Sequence, residues 1–244
     1  MTIHYGIDAF HSERATVVTV GSFDGVHAGH AQLLGCLCNM AQRLGLESVV
    51  ITFDPHPRIA MGRAEGMQLL TSVEERAYLL AQYGVDHLVV VRFDETFRTQ
   101  SYDTFVRSLV ERLKMRGMVV GYNHRFGRGS EGRFESLQPM AEELGFEVVR
   151  VEQHTEGGDK VSSTVVRRLI DEGHMQRAAE IMSHPYIIIG VATEGVVRVE
   201  DDTKQLPCDG KYDAVVNGKQ MSINIDSRSI RLGESVTGRV VIEL

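Results

Sequence analysis

Two textures of apolar and polar positions follow one another along this chain. Five short runs, Thr16–Val20, Ser48–Phe53, His87–Phe93, Met118–Tyr122 and Phe146–Val151, are apolar at nearly every position, the pattern of strands buried on both faces. Between them apolar residues recur at helical spacing. Leu33, Leu34, Leu37, Met40, Ala41 and Leu44 make a stripe that stops at Gly45, a residue suited to the left-handed turn after a helix. Ser72-Val-Glu-Glu75 has the spacing of a capping box and opens a second helix. Tyr102 to Met115 gives a third, and Glu135 to Leu144 another. This alternation predicts an α/β fold, a doubly wound parallel sheet whose ligands sit at the carboxyl ends of the strands.

After Pro185 the pattern changes to strand-like runs alone: Tyr186–Ala192, Gly195–Glu200, Tyr212–Gly218, Lys219–Ile225 and Arg239–Leu244. Val216-Asn217-Gly218-Lys219 reads as a hairpin turn of the Asn-Gly type. The expected organisation is a first domain over 1–185 and a small C-terminal β domain over 186–244. About sixty residues of β structure bury little surface alone, so the second piece is expected to lean on the first.

Composition narrows the class. With 244 residues, 43% hydrophobic and 24% charged, the chain is an ordinary globular one. The opening Met1–Ala15 carries acids and histidines and no apolar stretch of signal-peptide length, and no run is long enough to span a bilayer. A cytoplasmic protein without a membrane partner is therefore expected. Three cysteines, two of them at Cys36 and Cys38 within a predicted helix, suit buried reduced thiols better than disulfides or a zinc cage. A net charge of −7 argues against nucleic acid as a partner, so an anionic ligand must be met by local positive groups.

Such groups cluster in four places. Gly21-Ser-Phe-Asp-Gly-Val-His-Ala-Gly-His30 lies directly after the first strand and before the first helix. A helix N-terminus offers open N–H groups and a positive dipole end, and Gly21, Gly25 and Gly29 let the backbone approach a ligand closely. His27 and His30 share a face if the first turn begins here, where two imidazoles can meet triphosphate oxygens. A metal reading of the two histidines lacks a third ligand at suitable spacing. Val161-Ser-Ser-Thr-Val-Val-Arg167 precedes another helix ending near Gly173; its hydroxyls and Arg167 can hold phosphate, or equally be an N-cap and a solvated arginine. Gly121 to Arg133 gathers His124, Arg125, Arg128 and Arg133 among four glycines, a positively charged substrate loop or plain turn chemistry. Phe53-Asp-Pro-His-Pro57 ends the second strand stiffly and can wall a flat ligand or simply stop the strand.

In this order, from about Ala15 to Gly190, these segments resemble the bacterial FAD synthetase family, the bifunctional riboflavin kinase and FMN adenylyltransferase. The resemblance implies a Rossmann-like nucleotidylyltransferase fold and the joining of AMP from ATP to FMN, giving FAD and pyrophosphate, with Mg²⁺ arriving on ATP. It implies catalytic roles for His27, His30 and Arg167. ATP would be held by Gly21, Ser22, Phe23, Asp24, Gly25, Gly29, Asn123, Arg125, Ser162, Ser163 and Thr164. The flavin would lie near Phe53, Asp54, Pro55, His56, Pro57 and Asn123. No enzyme nucleophile is needed, because the FMN phosphate is itself the attacking anion.

The C-terminal part departs from the family. Tyr186–Gly190 looks like the start of the kinase barrel, Leu206–Tyr212 like its middle and Gly238–Leu244 like a late strand. Yet the residues between Gly195 and Gln205 contain no Pro-Thr-Ala-Asn, the segment Ser227 to Ile230 holds no glutamate, and the usual helical tail is missing. Riboflavin phosphorylation is therefore expected to be absent, the shortened barrel serving as a brace, a dimer surface or a flavin lid. Two other readings compete: adenylyl transfer to a different phosphorylated acceptor, and a non-catalytic flavin or ATP sensor.

Overall fold

The valine-rich runs assemble into a parallel sheet whose central strands are covered on both faces; the last run, expected to be buried likewise, lies at the sheet edge over Glu147–Val151 with no residue fully buried. The computed structural model describes residues 1–64, 66–152, 162–199 and 201–244. Its first sheet contains β1 (Thr2–Tyr5), β2 (Thr16–Val20), β3 (Glu47–Asp54), β4 (His87–Arg92), β5 (Met115–Gly121) and β6 (Glu147–Val151). The order is β1-β4-β3-β2-β5-β6 and every pairing is parallel. All of β2 is buried, as are Val49, Val50 and Ile51 of β3 and Leu88, Val89 and Val90 of β4. Fully burying one such side chain is worth about 1.5–3 kcal/mol, so the central strands dominate this core.

The helices that connect these strands are α1 (Ala28–Leu44), α2 (Pro57–Ala60), α3 (Val73–Gln82), α4 (Glu95–Thr99), α5 (Tyr102–Arg112) and α6 (Phe134–Leu144). Their ends follow the expected chemistry. Gly45 takes φ 67° just after α1, as its position predicts. The Ser72–Glu75 capping box closes reciprocally: Ser72 N donates to Glu75 Oε2 at 2.7 Å and Glu75 N to Ser72 Oγ at 3.2 Å.

Three expectations change. The third helix stops at Arg112, not Met115, because Lys114 turns the chain at φ 50° and Met115 already begins β5. An additional strand, β1, pairs along β4; only His4 of its four residues is buried, so no apolar pattern announces it. Cys36 and Cys38 are free thiols but only partly buried. Cys38 Sγ donates to Tyr83 O at 3.4 Å, and burial raises the pKa of both thiols.

The chain gathers into two compact units. The first is Met1–Phe23, Gly29–Glu65 and Ala77–His154; the second is Asp24–Ala28, Gly66–Arg76 and Thr155–Leu244. The second unit contains α7 (Ser163–Asp171), α8 (Met175–Met182) and strands β7 (Ile187–Thr193), β8 (Val196–Arg198), β9 (Gly210–Val216), β10 (Lys219–Asp226), β11 (Ser229–Leu232) and β12 (Gly238–Glu243). The six strands close an antiparallel barrel in the order β10-β11-β8-β7-β12-β9. Asn217 and Gly218 take φ 49° and 81° between β9 and β10, as the Asn-Gly turn predicts. Val166, Leu169 and Ile170 of α7 and Met175, Ala178 and Met182 of α8 share one core with Ile188, Ile223, Ile230 and Val240 of the barrel. Val161 and Glu200, ends of two segments singled out in the sequence, lie outside the described residues. Among the described residues no helix is long and apolar enough to cross a membrane.

Candidate active site

In the first unit the strand order reverses at β2. The chain runs from β2 through β3 to β4 on one side, then crosses to β5 and β6 on the other. Such a switch point opens a crevice at the carboxyl ends of the strands. A cleft of about 520 Å³ lies there, lined by Val20, Gly21 and Ser22 at the end of β2, Phe53 and Pro57 around the end of β3, Phe93 and Phe97 after β4, and Asn123 to Ser130 after β5. Its volume is that of a small-ligand site.

The cleft lining combines aromatic rings with cationic side chains. Phe53, Phe93 and Phe97 meet pairwise with ring centroids 5.4–5.7 Å apart, and Phe97 stands edge-on to Phe105 at 5.3 Å. Arg63, Arg125 and Arg128 reach the same cleft, and their guanidinium groups have no ion-pair partner among the described residues. Arg98 also lines it but is paired with Glu95. Three unneutralised guanidinium groups beside a cluster of edge-on and tilted rings suit a flat aromatic ligand with a phosphate. His124 lines the cleft too, and burial lowers its pKa to about 4, so its ring is neutral at pH 7.

The turn before α1 is held differently. Phe23 and Val26 take φ 47° and 39° with their side chains buried, and Gly25 takes φ 81°. A Cβ on Gly25 would lie 2.6 Å from Leu70 Cδ1, so glycine is required there by both conformation and space. Asp24, 2% exposed, is the anchor. Its Oδ1 accepts from Thr71 N at 3.0 Å and Thr71 Oγ1 at 3.3 Å, its Oδ2 accepts from Arg167, and its carbonyl accepts from Ser163 Oγ at 3.0 Å. Gly25 N donates to Thr71 Oγ1 at 3.0 Å, and Gly25 O lies 3.0 Å from His184 Nε2.

This turn presents His27 immediately ahead of α1, whose first turn carries no acid. Burial lowers the His27 pKa to about 4; its own backbone and Asp24 oppose that effect, while His184 and Arg167 add to it. A neutral imidazole beside a helix start is a hydrogen-bond donor that costs little to pair with phosphate.

The sequence-derived residues thus fall into distinct environments. Gly21, Ser22, Phe53, Pro57, Asn123 and Arg125 line the cleft of the first unit. Asp54 and Pro55 are exposed and do not line it, while His56, 7% exposed, caps α2 by accepting from Arg58 N at 3.2 Å. Phe23 packs its ring 5.1 Å from that of His30, in the first turn of α1, and Gly29 precedes it. In the second unit Asp24, Gly25, His27, Ser163 and Arg167 belong to one connected set, with Ser162 the N-cap of α7 and Thr164 exposed at its start. Arg167 is more committed than a free phosphate ligand: Nε donates to Gln68 O at 2.7 Å and Nη2 to Asp24.

The sequence reading missed Phe93, Phe97, Phe105 and Arg63. Phe93, Phe97 and Phe105 follow one another after β4 without forming a motif, and Arg63 stands alone in an ordinary loop. Thr71, which stitches the turn, likewise looks like an unremarkable loop hydroxyl.

Comparison with known proteins follows the same lines. The FAD synthetase family model matches residues 9–165. The bifunctional riboflavin kinase/FMN adenylyltransferase of Listeria monocytogenes is 35% identical over 180 residues, covering 73% of this chain and 57% of its own. That of Escherichia coli is 34% identical over 184 residues, covering 75% and 59%. A FAD synthetase of L. monocytogenes is 34% identical over 203 residues, covering 82% and 80%. The chain therefore spans under three-fifths of the length of the two bifunctional relatives. A solved structure described as a macrolide-efflux protein from Streptococcus pneumoniae has a TM-score of 0.83 at 21% identity, covering 100% of this chain and 89% of that one, which bears on the fold alone. On the family match and the identity to these relatives, the chain belongs to the FAD synthetase family.

Proposed function

We propose that this protein is an FMN adenylyltransferase without riboflavin kinase activity. A non-bridging oxygen of the FMN phosphate attacks the α-phosphorus of ATP. A new P–O bond forms as the bond from that phosphorus to the bridging oxygen of the β-phosphate breaks, and pyrophosphate leaves with the electron pair, giving FAD. The observation that carries the reading is the aromatic cleft lined also by Arg63, Arg125 and Arg128, which have no ion-pair partner among the described residues. It suits an isoalloxazine ring with its phosphate better than a small aliphatic acceptor.

On this reading Phe53, Pro57 and Asn123 contact the flavin, with Asp54, Pro55 and His56 shaping the turn beside it. Gly21, Ser22, Phe23, Gly25 and Gly29 shape the nucleotide site, and Asn123 and Arg125 help to hold ATP. His27 and His30 donate to the phosphates, and Ser162, Ser163, Thr164 and the uncommitted nitrogen of Arg167 add donors. Asp24 acts by fixing the turn. Catalysis then consists of alignment and charge neutralisation at the α-phosphate and leaving group. Among the described residues no three His, Cys, Asp or Glu side chains are grouped to hold a metal. Mg²⁺ would arrive with ATP, where triphosphate oxygens and water would hold it and it would offset phosphate charge. Functionally we divide the chain into transferase 1–185 and kinase-like β domain 186–244.

The test is to incubate the protein with Mg-ATP and FMN and quantify FAD and pyrophosphate, which are expected in equal amounts. Pyrophosphate released only with another phosphorylated acceptor would reassign the substrate. Tight FMN binding with no turnover would make the protein a sensor.

A further inference from the structure

Lys204 is the most deeply buried cation of the second unit after Arg76, at 2% exposed. Its ammonium donates to Leu70 O at 2.6 Å and Ile187 O at 3.0 Å, pairs with Glu75 Oε2 at 2.9 Å and sits 4.3 Å from the centre of the Tyr186 ring. Its donors are thus all used. Glu75, 1% exposed, also accepts from Ile189 N of β7 at 2.9 Å. Either side of Lys204 the backbone continues the stitch: Leu69 N donates to Thr203 O at 2.5 Å and Gln205 N to Leu69 O at 2.8 Å. The strap Gly66–Arg76 is therefore fixed to the barrel by main chain and by a buried ion pair together.

The other side of the same strap holds the turn. Thr71, next to the carbonyl that Lys204 grips, binds Asp24 through N and Oγ1 and receives Gly25 N. Asp24 and Gly25 are three and two residues ahead of His27. The geometry points to Lys204 as a positioning residue: the barrel fixes the strap through it, and the strap fixes the turn that presents His27. This gives the kinase-like barrel a part in adenylyl transfer although it lacks the kinase motif. The inference rests on the proposed transferase activity for its kinetic consequence, though not for its structural one.

The test compares Lys204→Met and Lys204→Arg with Ile230→Ala, which weakens the barrel core at a fully buried position whose side chain makes none of the strap's polar contacts. Hydrogen exchange of residues 24–28 and the kcat and KM values of FAD formation are measured in the full chain. For Lys204→Met the amides of 24–28 are expected to exchange about 10-fold faster or more, and kcat to fall about 10-fold, with the KM for FMN within about 2-fold. Lys204→Arg should restore part of both effects, and Ile230→Ala should lower thermal stability while sparing both. If Lys204→Met does not fold, Thr71→Val, which removes a single hydroxyl, is expected to show the same two changes. Wild-type exchange at 24–28 with wild-type kcat in the Lys204→Met protein, or in Thr71→Val where that variant stands in for it, overturns the inference. So does Ile230→Ala reproducing both effects. Should the wild type form no FAD while Lys204→Met loosens 24–28, the transferase reading fails and the positioning of the turn stands.

Discussion

At the scale of the residue, His27 couples ligand binding to protons. Burial holds its pKa at about 4, with Asp24, His184 and Arg167 the charged and titratable groups around it. A triphosphate brought beside the ring favours the charged form and raises that value. Binding then takes up a proton wherever the pH lies between the free and bound values, so ATP affinity contributed by His27 increases as pH falls from 7 towards 5. Stability moves the opposite way. The unfolded value of 6.5 exceeds the folded one, so the contribution of neutral His27 is complete above pH 6.5 and is lost as pH falls through 6.5 to about 4. Calorimetry of ATP binding at pH 6 in two buffers of different ionisation enthalpy should show a buffer-dependent heat. The terminal phosphate of ATP titrates near pH ~6 itself, so the decisive quantity is the part of that dependence lost in His27→Gln. An identical dependence in the variant would refute the assignment.

At the scale of the element, the legible parts were those whose environment is uniform along the chain. β2 to β5 are apolar runs buried along most of their length, whereas β6, an edge strand, has no fully buried residue; the stripe of α1 and the Ser72–Glu75 box carry their own periodicity and caps. Elements set by tertiary context were not legible. β1 is an edge strand with one buried residue, and α2 and α4 are single short turns of four and five residues. The split of the site has the same origin. Gly21–His30 reads as a phosphate turn because its glycines and histidines are consecutive. The aromatic wall reads as nothing, since strands β3 and β4 must end side by side before Phe53, Phe93 and Phe97 meet. The loop after β5 gives an element-scale prediction. Gly127 has φ 73°, and a Cβ there would lie 2.7 Å from Tyr102 N and 2.9 Å from its Cα, at the first residue of α5. A helix start cannot retreat as a flexible side chain can, so Gly127→Ala must displace the loop that carries Asn123, Arg125 and Arg128. A stability loss of about 1–3 kcal/mol is expected, with the KM for FMN raised about 10-fold and that for ATP raised as well, because Asn123 and Arg125 move with the loop. Steady-state kinetics with an unchanged KM for FMN would separate that loop from flavin binding.

At the scale of the whole molecule, the protein carries a net charge of −7 yet handles anionic substrates on the proposed reading, which its few unpaired guanidinium groups, neutral imidazoles and helix starts make feasible without a basic surface. On the proposed reading, the barrel keeps its fold although kinase chemistry is absent from it. Closure of the six strands depends on the alternating apolar face, including Ile188, Ile223, Ile230 and Val240, which are buried in one core. Kinase chemistry depends on a few residues in the connections, which can change without cost to that core. In the connection between β8 and β9, where the family resemblance leads one to look for Pro-Thr-Ala-Asn, this chain has Asp201-Asp-Thr-Lys-Gln205. Lys204 there is turned inward onto Leu70 O, Ile187 O and Glu75, and Gln205 Nε2 donates to Arg167 O and Asp171. Both side chains are engaged in holding the second unit together, and no glutamate stands at Ser227 to Ile230 to take a proton from a riboflavin hydroxyl. Riboflavin with Mg-ATP is therefore expected to yield no FMN and no ADP above background under conditions in which FMN with Mg-ATP yields FAD. Chromatography of the flavins resolves all three species in one run. FMN formed from riboflavin at a rate comparable with FAD synthesis would mean that other groups of the barrel supply the base and the metal ligand.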